Sequence, residues 1–178
     1  AHDTVNLVTS DGIKLESWYA KSDSVAKGTV IMFHGHGGNK SAQIKEATAF
    51  HNMGWNVFLT DFRAHGNSEG EVCTVGVNES NDVKSAYDFI KLKGEKNIVL
   101  YGISLGASTI LTTCNRFPIR PSKVILEMPF GTLIDAVEGR LKIMHIPSEP
   151  MGTLLTFWGG LEQGFWAFGH SPENFASS

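Results

Sequence analysis

The sequence predicts an α/β protein built on a doubly wound, mostly parallel sheet with an antiparallel hairpin at its N-terminus. Three observations carry that prediction: four short and nearly continuous apolar runs, amphipathic helical segments alternating with them, and a Gly-x-Ser-x-Gly turn, Gly102-Ile103-Ser104-Leu105-Gly106, that joins one such run to the next helix. Buried parallel strands linked by amphipathic helices form βαβ crossovers, and function in such sheets is expected at the carboxyl ends of the strands.

The opening residues read as a hairpin. Val5 to Thr9 alternates apolar and polar residues, Asp11-Gly12 supplies a turn, and Ile13 to Ala20 alternates again. Thr29 to Phe33, Trp55 to Thr60, Ile98 to Tyr101 and Val124 to Met128 are the apolar runs, each read as a strand buried on both faces. Ser41 to Met53, Glu79 to Leu92 and Ala107 to Arg116 have helical spacing. In the second of these, Val83, Ala86, Tyr87 and Ile90 recur at three- and four-residue steps, which places Asp82, Lys84, Asp88 and Lys91 on the water side. Beyond Met128 the alternation stops. Pro129 to Met144 has room for a helix, and Pro147 to Gly169 is rich in Gly, Trp, Phe and Leu with only Glu149 and Glu162 charged. Residues 129–170 are therefore expected to form a lid or cap, since their glycines and prolines suit a membrane span poorly.

Composition fits one soluble domain: 178 residues, 42% hydrophobic and 19% charged. A net charge of −3 without any Lys/Arg block argues against nucleic acid or an anionic membrane as partner and favours a small, weakly charged substrate. Cys73 and Cys114 give neither a disulfide framework nor a zinc pattern, so two free thiols are expected. No signal peptide precedes Ala1 and no apolar run spans a bilayer; localisation stays open between the cytoplasm and export after processing.

Serine with glycine two residues either side, on a strand-to-helix turn, is the pattern of a nucleophile elbow. The glycines are needed because side chains there would collide with the neighbouring strand and helix, and the exposed hydroxyl sits at a helix N-terminus that favours developing negative charge. After the strand Thr29 to Phe33 comes a second motif, His34-Gly35-His36-Gly37-Gly38-Asn39. A glycine-rich turn there can aim a backbone N–H at the oxyanion of a tetrahedral intermediate, with the amide of Leu105 as the other donor. Rival readings fail on spacing. His34-x-His36 has the start of a zinc motif, but the Asp and His that a metallo-lactamase-type site would add are Gly38 and Asn39. Lys40-Ser41 ends like a phosphate-binding loop, yet its required glycines are replaced by His34 and Asn39, and Gly102 to Gly106 lacks the dinucleotide spacing.

Taken in order, His34 to Gly38, then Asp61-Phe62-Arg63-Ala64-His65-Gly66-Asn67-Ser68-Glu69-Gly70, then Gly102 to Gly106 resemble the α/β-hydrolase superfamily, in the branch of monoglyceride-lipase-like and prolyl-oligopeptidase-like serine hydrolases. The resemblance implies Ser104 as nucleophile and the amides of His36 and Leu105 as oxyanion hole. It implies a structural role for the Asp61 to Gly70 loop, with Asp61 and Arg63 tying it to its neighbours, and it implies no cofactor and no metal.

The same resemblance places a triad acid and histidine after the serine, on strands beyond Val124 to Met128, so about a third of the domain is expected to lie C-terminal to Ser178. Within the chain, Glu127, Asp135, Glu138, His145 and His170 are the alternatives weighed for those roles. The 124–128 strand is then an edge that needs the remainder of the domain or another chain to pair with it. Two functions follow as expectations. One is a serine hydrolase of esters, thioesters or amides with an acyl or aromatic substrate, inactive as these 178 residues alone; the other is a non-catalytic relative that binds a hydrophobic ligand or partner through its lid.

Overall fold

The computed structural model describes residues 1–164, 166–169 and 172. His170 lies outside the described residues, as do Ser171 and residues 173–176, where the family resemblance implies the approach to a further strand. Two compact units divide the chain, Ala1–Pro129 and Phe130–Ser178.

The first unit holds a six-stranded mixed sheet. Its strands are β1 (Asp3–Val8), β2 (Lys14–Ala20), β3 (Thr29–Phe33), β4 (Asn56–Thr60), β5 (Ile98–Ile103) and β6 (Lys123–Glu127), in the order β1-β2-β4-β3-β5-β6. The predicted hairpin is β1 and β2, antiparallel with Asp3 opposite Tyr19 and Val8 opposite Lys14. Its turn is closed by Thr9, whose hydroxyl accepts the Ile13 amide at 2.9 Å. From β4 to β6 the neighbours are parallel, and β3, paired on both sides, is buried at all five positions.

Strand alternation sorts the core into two layers. Ile31, Phe33, Phe58 and Leu100 pack on one face with Val83, Ala86, Tyr87 and Ile90 of α2 (Glu79–Leu92) and with Leu105 and Ile110 of α3 (Leu105–Arg116). Val30, Met32, Val57, Leu59 and Val99 pack on the other, with Ala47 and Phe50 of α1 (Ile44–Asn52). Each Val, Leu, Ile, Phe or Met among them contributes about 1.5–3 kcal/mol on leaving water. α3 is buried although threonine-rich, because Thr109, Thr112 and Thr113 donate their hydroxyls to carbonyls one turn back, at 2.7, 3.0 and 2.7 Å.

Two expectations need correcting. Asp82 is not on the water side of α2 but fully buried, because Arg63 reaches it; helical spacing alone cannot see a partner 19 residues upstream. β6 is not buried on both faces: Val124 and Ile125 are 40% and 37% exposed on the sheet's last strand.

The second unit contains α4 (Leu133–Ile143) and α5 (Met151–Glu162), which pack on each other, and a 3₁₀ turn at Ala167–Gly169. Thr132 caps α4 by accepting the Asp135 amide at 3.2 Å. α5 leaves Leu154, Leu155, Phe157, Trp158 and Leu161 exposed. Among the described residues no helix is long and apolar enough to cross a membrane.

Candidate active site

β5 ends at Ile103 and α3 begins at Leu105, so the chain turns from strand to helix on the single residue Ser104. Its backbone sits at φ 51°, ψ −109°, a region that a residue with a side chain enters only when its surroundings enforce it. The surroundings are two glycines. A Cβ on Gly102 would lie 2.5 Å from the Gly106 carbonyl carbon, and one on Gly106 would lie 2.2 Å from the Phe33 carbonyl oxygen. Thus the C-terminal ends of β3 and β5 and the start of α3 meet more closely than any side chain permits. The Ser104 amide donates to the Glu127 carbonyl at 2.8 Å, and its carbonyl accepts the Ser108 amide at 3.0 Å, opening the helix. Leu105, the first helical residue, carries one of the amides that a helix leaves without an internal partner.

Beside this turn runs the glycine-rich loop. A Cβ on Gly35 would stand 3.7 Å from the Ser104 Cβ, so loop and elbow abut at that residue. The loop folds back through Gly38 N–H to Gly35 C=O at 3.1 Å, with Gly37 at φ 71° and His36 exposed between the two glycines. His34 is buried beneath it. Its Nδ1 donates to the Gly35 carbonyl at 2.7 Å and its Nε2 accepts the Phe62 amide at 3.2 Å, and burial lowers its pKa to about 4. A neutral ring with both nitrogens committed is a brace, and neither a ligand nor a base.

The Asp61 to Gly70 loop braces the same turn from the other side. Asp61 accepts the Lys40 amide and ammonium, both at 2.6 Å, and the Asn67 amide at 2.9 Å. Lys40 also pairs with Glu16 at 2.8 Å and lies over the Trp18 ring at 4.8 Å. Arg63 forks between Asp82 and Asp11, its Nη2 reaching Asp82 at 2.7 Å and its Nη1 reaching Asp11 at 2.6 Å, and the guanidinium holds the Asp11 carboxyl down at about 2. His65 donates from Nδ1 to the Arg63 carbonyl at 2.8 Å and accepts the Gly37 amide on Nε2 at 3.2 Å. The structural role expected of Asp61 and Arg63 is what these contacts describe.

Of the other candidates for acid and base, Glu127 belongs to the first unit and Asp135, Glu138 and His145 to the second. Glu127 accepts the Tyr101 hydroxyl at 2.6 Å; burial first, and then this carboxylate, holds the phenol above its ordinary range. Asp135 accepts the Thr132 hydroxyl at the start of α4, Glu138 stands one turn from Lys142, and His145 is exposed in the second unit. Sequence reasoning missed Lys40, whose only signal was its place after the glycine loop. It also missed the approach of Cys73 to His36 and His65, which local spacing cannot encode.

The contacts thus bring a serine on a strained backbone, the first amides of α3 and a glycine-rich loop together at one end of the sheet. Comparison with known proteins agrees with this architecture. A family model described as alpha/beta hydrolase fold matches residues 28–149. The chain is 28% identical over 155 residues to an uncharacterised protein of Mycobacterium tuberculosis, covering 85% of this chain and 52% of that one. It is 32% identical over 131 residues to an uncharacterised membrane protein of Saccharomyces cerevisiae, covering 72% and 46%. The chain thus spans about half the length of these curated relatives. Among solved structures, the Pyrococcus furiosus esterase Pf2001 superposes with a TM-score of 0.70 at 25% identity, covering 89% of this chain and 64% of that one. Epoxide hydrolase A from Mycobacterium thermoresistibile shares the fold with a TM-score of 0.58 at 19% identity, covering 71% and 39%. With its family match across most of the sheet and an esterase among its structural neighbours, the chain belongs to the α/β-hydrolase fold family.

Proposed function

We propose that this chain carries the nucleophile of a serine hydrolase that cleaves an ester, thioester or amide by acyl transfer through Ser104. The observation that carries the reading is the backbone of Ser104 at φ 51°, held by two glycines that no larger residue can replace. Strain of that kind persists only where the fold over-determines it, and here it presents one hydroxyl at the head of α3.

In this reading Ser104 Oγ attacks the substrate carbonyl carbon while its proton passes to a histidine base. The oxyanion is met by the amides of His36 and Leu105. Collapse breaks the bond to the leaving alcohol, thiol or amine, which takes the proton back, and water then hydrolyses the acyl-enzyme by the same steps. The acid and histidine are assigned to residues C-terminal to Ser178. Supporting this, His34 and His65 have both ring nitrogens engaged with the backbone, and the curated relatives are about twice as long. The edge at β6 suits pairing with such a continuation.

The second unit is read as the lid. Its own pocket of about 230 Å³ is lined by Phe157, Leu161, Trp166, Ala167 and Phe168, which favours an acyl or aromatic substrate. The test is turnover of nitrophenyl esters of graded acyl length by the full-length protein. Ser104→Ala should lower kcat by at least about a thousandfold, and the 178 residues alone should be inactive. Undiminished turnover in Ser104→Ala removes the assignment.

A further inference from the structure

His36, His65 and Cys73 come from three separate segments, yet each offers one ligand atom and these atoms all lie within 4.8 Å of one another. His36 is exposed, while His65 and Cys73 are half-buried, so the cluster opens to solvent on the His36 side. We propose that His36, His65 and Cys73 form a binding site for a thiophilic divalent cation, zinc above all. The donor set is two imidazoles and one thiolate, which suits zinc and excludes magnesium or calcium.

His65 is already prepared as a ligand. Its Nδ1 proton is donated to the Arg63 carbonyl at 2.8 Å, which fixes the tautomer and the ring and leaves Nε2 as the nitrogen able to ligate. That lone pair now accepts the Gly37 amide at 3.2 Å. Rings of His36 and His65 stand edge to face with centroids 5.6 Å apart, and His36 lies between two glycines, so the backbone around it bends readily to close the last ångström or so that zinc requires. His34 is not part of the set: the ligand atoms that converge are those of His36, His65 and Cys73, and His34 is fully buried.

The Glu79 and Asp82 carboxylates act on the Cys73 thiol, and negative charge beside a ligand set attracts a dication. On binding, one S–H bond is replaced by one metal–sulfur bond, and the proton leaves to solvent. Three protein ligands leave the fourth position to water. Ligation also takes the His65 lone pair away from the Gly37 amide, so occupancy reaches the loop that abuts Ser104.

The test is a titration of the full chain with Co²⁺, a zinc surrogate, followed by its absorption spectrum and by displacement with Zn²⁺. One equivalent should bind with a thiolate-to-cobalt charge-transfer band that Zn²⁺ abolishes. Cys73→Ser should remove the band, and His36→Ala and His65→Ala should each weaken binding by roughly tenfold or more. Circular dichroism of each variant establishes that the fold is kept; His36→Ala, at an exposed loop position, serves if the others do not fold. Absence of saturable binding overturns the proposal. So does cobalt held without a thiolate band, or a band that survives both histidine variants.

Discussion

The amide of Ser104 donates to the carbonyl of Glu127 at 2.8 Å, so the last residue of β6 holds the residue on which β5 turns into α3. The parallel ladder, which pairs Ile103 with Glu127, therefore extends one residue past the strand and into the elbow. Conformational strain at Ser104 is set against a hydrogen bond from the neighbouring strand and two glycine contacts, none of which involves the serine side chain. Substituting that side chain should leave the fold in place.

The glycines should be far less tolerant. Gly106→Ala places a methyl 2.2 Å from a carbonyl oxygen of β3, and Gly102→Ala places one 2.5 Å from the backbone of α3. Each should cost more than about 3 kcal/mol in chemical denaturation. Gly139, in the interior of α4 with nothing within 4 Å of its missing Cβ, is the contrast: Gly139→Ala should stabilise by about 0.5–1 kcal/mol.

Lys40 and Asp61 should be coupled. Lys40 is 4% exposed and Asp61 not at all, so removing one leaves the other charge buried. Asp61→Asn and Lys40→Met are each expected to destabilise by about 3–5 kcal/mol, and the double variant by clearly less than their sum. A double-mutant cycle by urea denaturation reads the coupling directly.

His34 predicts an acid-side loss of stability. Its ordinary value of 6.5 falls to about 4 in the fold, so between those values the unfolded chain binds a proton that the folded chain refuses. The contribution is complete above pH 6.5 and is lost as pH falls toward 4, on the order of 3 kcal/mol in all. Denaturation midpoints measured across that window should fall with pH, and His34→Gln should flatten the slope within it.

Trp158, 61% exposed on α5, should matter to substrate and little to folding. In the full-length protein Trp158→Ala is expected to leave the melting temperature within a degree or two while lowering kcat/KM for long acyl esters by about tenfold more than for acetate. Equal losses for both esters would argue against a lid role for this segment.

Much of this was legible in the sequence because it is local. Thr29 to Phe33 and Glu79 to Leu92 match β3 and α2 residue for residue, since apolar continuity and helical spacing are written in consecutive residues. The elbow was legible because the apolar run before Gly102 and the helical stretch after Gly106 place the serine on a strand-to-helix turn, all within consecutive residues. What escaped was long-range charge. Asp82 reads as a surface acid until Arg63 folds onto it, and Lys40 reads as a loop lysine until Asp61 and Glu16 converge on it. The edge position of β6 was expected from the resemblance; what escaped was the exposure of its side chains, because by composition Val124 to Met128 looks like any buried strand.

Covalent labelling decides whether Ser104 is the nucleophile. The full-length protein is treated with a fluorophosphonate, digested, and the modified peptide identified by mass spectrometry. A single phosphonylated residue, Ser104, is expected, with no adduct in Ser104→Ala. A folded full-length protein that stays unlabelled, or carries its adduct on another residue, would contradict it.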